Sequence, residues 1–437
     1  MDRDLQTILL RDNPWISSPE SCRSWLNSHL PVNYYERDAI VDNRKRWRNR
    51  DSAHLVTGPR QAGKTTAVWA HLSTKGKPAL FVDCEQWPVR NWCRSAPLFL
   101  DSLEQMLDRP VTLFFDEIQH LEEAGLFLKG LVDRKPGVSI LVSGSSAFHL
   151  GSKTRESLAG RATRTTLLPF SLKEVCSVIK SSAPIAAEKE TIRLMERHFI
   201  FGGYPPVWLS ESPEPLLVDL VEAIVMRDAS DLFRIDRPDA FRKILRLAAG
   251  QAGNLLNLSE WAALSGISRN TAASYLDILE SSHIIRLLPP FTGGKRSEIT
   301  RRPKVFLFDN GIRNQLIGDF NPLENRGDAG QLVENWVFGE LAKYCPRDAS
   351  IHFWRSTSGT EVDFVVQRGK KLMAVEVKAK KLVRPQLSRS SRSFIEAYQP
   401  VVLCVINSSL EYEMILGRTE VLFRRPFEIE EVLTCLT

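Results

Sequence analysis

The sequence predicts an α/β fold with a parallel sheet covered by helices on both faces. Three features indicate it: short apolar segments, helical segments between them, and a glycine-rich loop directly after the first apolar segment. The apolar segments are HLVTGP (54–59), PALFVDCE (78–85), VTLFFDEI (111–118) and VSILVSGSS (138–146). Continuous apolar strands that alternate with helices are typical of parallel sheets that are buried on both faces.

Composition limits the class of protein. A chain of 437 residues with 43% hydrophobic residues can bury two to four domain cores. A net charge of +6 allows nucleic-acid binding without requiring it. The seven cysteines have no CxxC spacing and the eight histidines form no cluster, which favours reduced thiols and argues against zinc. No signal peptide or membrane-length apolar run is evident, so we expect a cytoplasmic protein with no membrane partner.

The loop GPRQAGKTT (58–66) fits the pattern GxxxxGK[ST] of a P-loop. Its glycines let backbone N–H groups curl around phosphate oxygens. Lys64 would reach the β and γ phosphates, and the Thr65 hydroxyl would bind Mg²⁺. The residues expected to bind ATP are Gly58, Pro59, Arg60, Gln61, Ala62, Gly63, Lys64, Thr65, Thr66 and Asp116.

Two carboxylates follow the third apolar segment. Asp116 could hold the water shell of Mg²⁺, and Glu117 is placed to polarise the attacking water. The alternative is a pair that caps the end of a strand. After the next segment, Ser145 could contact the γ-phosphate or the water, with Ser143 and Ser146 as competing residues.

Two arginines in ESLAGRATR could stabilise negative charge on the transferred phosphate. Arg161 would act in its own subunit or from a neighbouring one, and Arg164 is the second possibility. The alternative is an arginine on the protein surface.

Residues 256–291 predict a helix, a tight turn, a second helix and a strand. Gly266 makes the turn and Ser268 caps the second helix. The residues that repeat at i, i+3, i+4 and i+7 and so face the core are Ala272, Tyr275, Leu276 and Leu279. The residues left on the open face, where recognition helices contact DNA, are Arg269, Asn270 and Ser274.

The segment HIIRLLPPF would start the wing, and a basic segment lies nearby. GGKRSEITRRPK (293–304) holds five basic residues and one acid, which supports contact with DNA phosphates through Lys295 and Arg296. The alternative is a module that only packs domains together.

The segment EVDFVVQRGKKLMAVEVKAK (361–380) predicts a hairpin with Gly369 and Lys370 as its loop. Paired residue numbers then sum to 739, which places Asp363 opposite Glu376, with Lys378 on the same face as Glu376. Two carboxylates this close need a cation between them, so we expect Mg²⁺ there and metal-assisted phosphodiester cleavage. Glu334 could supply another carboxylate. The alternative is a salt-bridge cluster on an edge strand.

The motifs GPRQAGKTT, LFFDEIQ, GSS…ESLAGR, FGGYP and VMRDASDL together resemble the AAA-type ATPases of bacteria and archaea that carry a fused C-terminal domain. FLFDNGIRN, GQLVENWVFGEL and GTEVDFVV…AVEVKAK resemble the C-terminal part of that family, a winged helix joined to a PD-(D/E)XK nuclease fold. The resemblance implies Walker A at Lys64 and Thr65 and Walker B at Asp116 and Glu117. It further implies an arginine finger at Arg161, a nuclease triad of Asp363, Glu376 and Lys378, and a helical acid at Glu334.

The resemblance also gives the expected domain plan. We expect a helical extension (1–47), an AAA-like ATPase core with a parallel P-loop NTPase sheet (48–170), a helical lid (171–240), a winged helix-turn-helix (241–300) and an α/β PD-(D/E)XK nuclease-like domain (301–437). AAA modules commonly assemble through an arginine given to the next subunit, so a homo-oligomer is expected.

Three functions are compatible with this plan. The first is an ATP-hydrolysing enzyme that binds and processes DNA and uses Mg²⁺. The second is a nucleotide-dependent switch that binds DNA or a partner protein without cleavage. The third is an ATPase that remodels proteins.

Overall fold

The computed structural model describes residues 3–48, 52–107, 111–134, 137–145, 158–179, 183–225, 235–293, 302–356 and 359–436. The chain divides into two compact units, residues 1–168 and residues 169–437. Among the described residues, no helix is both long enough and apolar enough to cross a membrane.

The first unit is built on a five-stranded parallel sheet. Its strands are β1 (Ala53–Gly58), β2 (Ala79–Asp83), β3 (Thr112–Asp116), β4 (Ile140–Ser145) and β5 (Ala162–Thr166). They lie in the order β2-β3-β4-β1-β5, and each neighbouring pair is parallel. The first four strands lie within the four apolar segments, apart from Ala53 at the start of β1, so the parallel sheet predicted from those segments is confirmed.

The helices of this unit precede the first strand or lie between the strands. They are α1 (Arg3–Asp12), α2 (Cys22–Ser28), α3 (Asp38–Asn43), α4 (Lys64–Lys75), α5 (Trp87–Trp92), α6 (Ala96–Met106) and α7 (Ala124–Asp133). Short 3₁₀ turns occur at Pro14–Ile16, Pro19–Ser21, Arg46–Arg48 and Ile118–His120.

The N-terminal extension covers the exposed edge of strand β2. The Asn13 side chain donates to the Phe81 carbonyl (2.9 Å) and accepts from the Phe81 N–H (2.7 Å). The indole of Trp15 donates to the Ala79 carbonyl (3.0 Å). Residues of the extension therefore satisfy backbone groups that an open edge strand would leave unpaired.

The extension is part of the first unit's core. Trp47 is 1% exposed and stacks near His54, which lies on β1. The predicted boundary after residue 47 thus cuts through a packed core, and the division of the chain lies at residue 168, two residues before the predicted end of the ATPase core.

The second unit contains helices along most of its sequence. They are α8 (Leu172–Cys176), α9 (Pro184–Phe201), α10 (Pro205–Trp208), α11 (Pro213–Ala223), α12 (Pro238–Gly250), α13 (Leu258–Ser265), α14 (Arg269–Ser281), α15 (Asn310–Ile317), α16 (Ala329–Tyr344), α17 (Arg389–Tyr398) and α18 (Ile429–Leu433). Short 3₁₀ turns occur at Leu323–Asn325, Pro426–Glu428 and Thr434–Leu436. The predicted boundary after residue 240 falls inside α12.

The glycines of FGGYP are required by a buried aspartate. Asp309 accepts from the Gly203 N–H (2.7 Å) and from the Ile312 N–H (3.1 Å), and so caps α15. A Cβ at Gly202 would lie 2.1 Å from an Asp309 oxygen, which only glycine avoids. This contact joins two segments that lie about a hundred residues apart in the sequence.

A neutral histidine lies in the same core. The buried His198 ring pairs through Nε2 with the Phe170 carbonyl (2.9 Å) and accepts at Nδ1 from the Trp336 indole (2.7 Å). Burial lowers the pKa of His198 to about 3, and the positive charge of Lys343 acts in the same direction. A proton on Nδ1 would face the indole N–H, so the neutral ring is the form that fits.

The helix-turn-helix segment has the predicted order of helix, turn, helix and strand. Gly266 ends α13 in a left-handed conformation, and Ser268 caps α14 by accepting from the Thr271 N–H (3.0 Å). Strand β6 (Ile285–Leu288) then pairs antiparallel with β7 (Lys304–Leu307). The four residues predicted to face the core are buried: Ala272, Tyr275, Leu276 and Leu279.

The C-terminal part contains a six-stranded mixed sheet. Its strands are β8 (Ala349–Arg355), β9 (Glu361–Arg368), β10 (Lys371–Lys378), β11 (Val402–Asn407), β12 (Tyr412–Leu416) and β13 (Thr419–Arg424). They lie in the order β12-β13-β11-β10-β9-β8, with β10, β11 and β13 parallel and the outer pairs antiparallel. Helix α16 packs on β10.

His198 should make the folded state sensitive to acid. Because its folded pKa is depressed, the unfolded chain binds a proton as the pH falls from about 6.5 toward 3 and the folded chain does not. We expect this residue to reduce the free energy of unfolding by about 1.4 kcal/mol per pH unit below pH 6.5. Urea unfolding between pH 7 and 5 should show a shallower pH dependence for His198→Gln, which does not titrate. Equal pH slopes for the two proteins would contradict the assignment.

Candidate functional site

The phosphate loop joins β1 to α4 at the carboxyl edge of the first sheet. A Cβ at Gly58 would lie 2.0 Å from the Leu167 carbonyl oxygen, so no side chain fits there. Gly63 has a φ of 86° and directly precedes α4, which begins at Lys64. The N-terminus of this helix, with its backbone N–H groups and positive dipole end, follows the loop and suits an anion. The other loop residues predicted to bind ATP lie in the same turn: Pro59, Arg60, Gln61 and Ala62.

Lys64 is buried and folded against the loop. Its Nζ donates to the Pro59 carbonyl (3.0 Å). From the N-terminal extension, Arg37 donates to the Ala62 carbonyl (2.8 Å) and to the Leu168 carbonyl (2.5 Å). Sequence reasoning missed Arg37, since no motif surrounds this residue. Its hydrogen bond to Ala62 nevertheless holds the loop in position.

Asp116 lies at the centre of a hydrogen-bonded group. The Thr65 hydroxyl, on α4, donates to its Oδ1 (2.8 Å), and the Ser143 hydroxyl, on β4, donates to the same oxygen. Burial raises the pKa of Asp116 to about 6, and the Ser143 and Thr65 hydrogen bonds act against this rise. The structure therefore brings together the threonine and the carboxylate that were predicted to share a metal ion.

Glu117 is held by a glutamine that sequence reasoning missed. Its backbone is left-handed (φ 50°) and its N–H donates to Ser143 Oγ (3.2 Å). The Gln119 amide donates to Glu117 Oε2 and accepts from the Ser145 N–H (3.1 Å). A Cβ at Gly144 would lie 3.0 Å from Gln119 Oε1, so a glycine there leaves room for this amide.

Of the three serines proposed for the tip of β4, Ser143 is the one that contacts Asp116. The buried Ser145 hydroxyl has no hydrogen-bond partner among the described residues. Ser146 lies outside the described residues.

Arg161 lies at the wrong edge of the sheet for a role in its own subunit. Its carbonyl accepts from the N–H of Ala53, the first residue of β1, whereas the phosphate loop follows the last residue. Five residues of strand separate the two ends by about 16 Å. Its guanidinium pairs with Asp133 (2.5 Å), and Arg164 is exposed within β5. The prediction that Arg161 acts in cis is therefore wrong, and a role in a neighbouring subunit stays a prediction.

The predicted DNA-contacting residues of α14 are exposed: Arg269, Asn270 and Ser274. Lys295 and Arg296 lie outside the described residues. Lys304, the last basic residue of the segment assigned to phosphate contact, does not belong there. It begins β7, and its side chain is only 4% exposed and paired with acids, so it is unavailable to DNA.

The hairpin has the predicted register. Five pairs, from Lys371 with Arg368 to Val375 with Phe364, sum to 739. The ladder ends before Asp363 and Glu376 would face each other, and Asp363 instead accepts from the Val377 N–H (2.7 Å).

Glu376 is surrounded by donors. Lys378, on the same face as predicted, lies 2.5 Å from its Oε1. Its Oε2 accepts from the Ser388 hydroxyl (2.8 Å) and from the Ser391 hydroxyl at the start of α17. The N-terminus of that helix adds a favourable dipole.

A second group of acids surrounds Lys304. Its ammonium lies 3.2 Å from Glu334 Oε1 on α16 and pairs with Glu361 on β9. Burial opposes the charge of Lys304, but Glu334, Glu361 and Asp363 raise its pKa above the ordinary value. Burial raises the pKa of Asp363 and of Glu334, and the Lys304 charge acts against both rises.

These residues do not fit the divalent metal that was predicted for them. Among the described residues, no three His, Cys, Asp or Glu side chains are grouped so that they could hold a metal ion. The ammonium of Lys304 lies between Glu334 and Glu361, and the oxygens of Glu376 are taken by Lys378 and two serines. The predicted magnesium site formed by Glu334, Asp363 and Glu376 is therefore corrected to a cluster neutralised by lysines.

Comparison with protein-family models identifies three segments of the chain. Residues 50–176 match an AAA domain. Residues 192–323 match a domain of unknown function, DUF8612, and residues 329–423 match another, DUF4143. With the sheet and the loop described above, the first match shows that residues 50–176 are similar to AAA-type P-loop domains.

Two curated proteins are similar over most of their length. The uncharacterized protein Rv2008c of Mycobacterium tuberculosis is 27% identical over 377 residues, which is 85% of this chain and 80% of that protein. The uncharacterized protein MJ1544 of Methanocaldococcus jannaschii is 23% identical over 331 residues, 71% of each chain.

Two solved structures are similar in part. The Walker-type ATPase PABY2304 of Pyrococcus abyssi is 16% identical with a TM-score of 0.43, covering 66% of this chain and 97% of that one. The RuvB Holliday junction branch migration motor of Thermotoga maritima is 19% identical with a TM-score of 0.30, covering 62% and 89%.

The raised pKa of Asp116 predicts a pH dependence of nucleotide binding. Below about pH 6 the carboxyl group gains a proton and loses its attraction for Mg²⁺. We expect the affinity for Mg²⁺-ATP to fall toward lower pH, by up to about tenfold between pH 6.5 and 5. Fluorescent-nucleotide titration would measure it, with Asp116→Asn as the control for protonation of ATP itself. A wild-type curve parallel to that of the variant would contradict the assignment.

Proposed function

We propose that the first unit binds and hydrolyses ATP and that the nucleotide state controls binding of DNA by the second unit. The observation that carries the ATPase part is the contact between the Thr65 hydroxyl and Asp116 beside the phosphate loop. The match of residues 50–176 to an AAA domain also supports it.

The residues of the first unit have separate tasks in this proposal. The backbone of residues 58–63 and the start of α4 bind the phosphates, and Lys64 leaves the Pro59 carbonyl to reach them. Glu117 accepts the proton of the attacking water. Gln119 keeps one oxygen of Glu117 occupied, which leaves the other for the water.

Thr65 and Asp116 are the residues that would hold Mg²⁺. The fit is good, since a hydroxyl and a carboxylate oxygen already lie 2.8 Å apart and oxygen ligands are those that Mg²⁺ prefers. When bound, the ion neutralises negative charge on the phosphates.

DNA binding is assigned to the helix-turn-helix segment. The start of α14 is exposed and carries Arg269 and Asn270, the position at which recognition helices contact base edges. The basic residues Lys295 and Arg296 follow β6 in the sequence and would contact phosphates.

We place DNA cleavage second to this switch. The spacing of Asp363, Glu376 and Lys378 favours a nuclease, but Lys304 already neutralises the acids beside Asp363. A docking or regulatory role for the C-terminal sheet agrees better with that arrangement. Assembly into a homo-oligomer, with Arg161 reaching a neighbouring subunit, is part of the same proposal.

ATP hydrolysis should depend on Lys64 and Glu117 in different ways. Lys64→Ala should abolish tight nucleotide binding, because the phosphates then lose the buried ammonium group of Lys64 at the start of α4. Glu117→Gln should bind ATP normally and reduce turnover at least a hundredfold, because the amide cannot take the proton. Fluorescent-nucleotide binding and phosphate release measure the two steps.

Two matched substitutions serve as controls for these variants. Lys75→Ala lies at the other end of α4, and Glu122→Gln lies on the exposed side of the turn after β3. Both should leave binding and turnover unchanged. Normal turnover by Lys64→Ala or Glu117→Gln would contradict the ATPase proposal.

DNA binding should lose salt dependence when three basic residues are replaced. In the triple alanine variant of Arg269, Lys295 and Arg296, the slope of log K against log salt should fall by about two, since the phosphate contacts of Lys295 and Arg296 contribute about 0.9 each. Fluorescence anisotropy with duplex DNA at several salt concentrations measures it.

The control removes equal charge from another surface. Lys370, Lys371 and Arg384 are exposed around the C-terminal sheet, and their triple alanine variant should keep the wild-type slope. If both triple variants show the wild-type slope, the α14 surface is not the DNA interface.

A further inference from the structure

The acids at the C-terminal sheet lie beside the ammonium group of a lysine of the same chain, Lys304. Glu334 comes from α16 and Glu361 from β9, and both lie on the ammonium of Lys304. The negative charge of Asp363 also acts on that ammonium. One side chain from a different part of the unit thus faces three carboxylates.

Lys304 is held firmly in this position. It begins β7, where it pairs with Leu288 of β6 and forms a bridge with Leu255 before α13. Its ammonium lies 5.5 Å from the centre of the Phe353 ring on β8. Because both backbone and side chain are buried, the ammonium cannot turn to solvent as the half-exposed Lys378 can.

The charges near this point already balance closely. Four carboxyl groups lie near this point, those of Glu334, Glu361, Asp363 and Glu376. Lys304 and Lys378 pair with them directly, and Arg355 lies 3.6 Å from Glu361. A divalent ion placed among the acids would meet the ammonium of Lys304 at close range and be repelled by it.

We propose that Lys304 is the permanent cation of this cluster and takes the place of the divalent metal that the D…ExK spacing implies. The cluster then acts as an internal connection. It fixes the strand that follows the helix-turn-helix segment to the C-terminal sheet, which joins the helix-turn-helix and C-terminal parts of the second unit. This inference concerns residues outside the ATP site and does not depend on ATP hydrolysis.

Counting Mn²⁺ ions bound per chain tests the proposal without nucleotide or DNA. Electron paramagnetic resonance of free Mn²⁺ gives the number of bound ions for wild type, Lys304→Met and Lys378→Met. Any ion at the Thr65 and Asp116 site is common to all three. We expect Lys304→Met to gain one ion with at least tenfold tighter binding than any further wild-type site, and Lys378→Met to gain none.

A second measurement decides the matter if Lys304→Met folds poorly. Glu334→Gln in the wild-type background removes one acid of the cluster, and we expect it to bind as many Mn²⁺ ions as wild type. A wild-type ion that disappears in Glu334→Gln would overturn the proposal, as would equal Mn²⁺ binding by folded Lys304→Met and wild type.

For Lys304→Met itself, Mn²⁺ should raise the melting temperature of the variant by more than that of wild type, because any ion at the Thr65 and Asp116 site stabilises both proteins. The reverse result, or an equal shift in both, would also overturn the proposal.

Discussion

Removing a charged group from water costs free energy unless a partner of opposite polarity lies beside it. This constraint explains the arrangement of two clusters of polar side chains, one around Asp116 and one around Lys304. In the first unit, Asp116 is held by two hydroxyl groups, so its carboxylate is paired yet keeps room for a cation. In the second unit, Lys304 sits directly on Glu334 and Glu361, so the acids are paired by a cation that belongs to the chain. The first arrangement suits a site that exchanges ligands, and the second suits a permanent contact.

The same constraint explains how distant segments are connected. Arg37 connects the N-terminal extension to the Ala62 carbonyl of the phosphate loop, and Asp309 connects FGGYP to the start of α15. Each connection uses one buried polar side chain that satisfies backbone groups which packing would otherwise leave unpaired. Such contacts specify one arrangement of the chain more strictly than apolar packing does, because a shifted register would leave them unpaired.

Sequence reasoning succeeded where the signal is local. Four continuous apolar strands predicted the sheet, and a two-residue loop at Gly369 predicted the hairpin register, because both depend on neighbouring residues. It failed where the partner lies far along the chain. Strand β5 has the polar sequence ATRTT and no apolar run. Lys304 stands among other basic residues, and only the packing of β7 against α16 and β9 shows that it belongs with acids. The expected position of Arg161 near the phosphates of its own subunit was wrong, because a sequence motif does not show at which edge of the sheet a residue lies.

We propose an ATP-driven switch whose C-terminal acids are neutralised by lysines and bind no metal ion. The most direct test is incubation of linear, circular and single-stranded DNA with purified protein, with Mg²⁺ or Mn²⁺ and with or without ATP, beside Asp363→Ala. We expect ATP turnover without cleavage of any DNA, by wild type and variant alike. Metal-dependent cleavage by wild type that disappears in Asp363→Ala would contradict this proposal and would show that the C-terminal sheet holds a nuclease site.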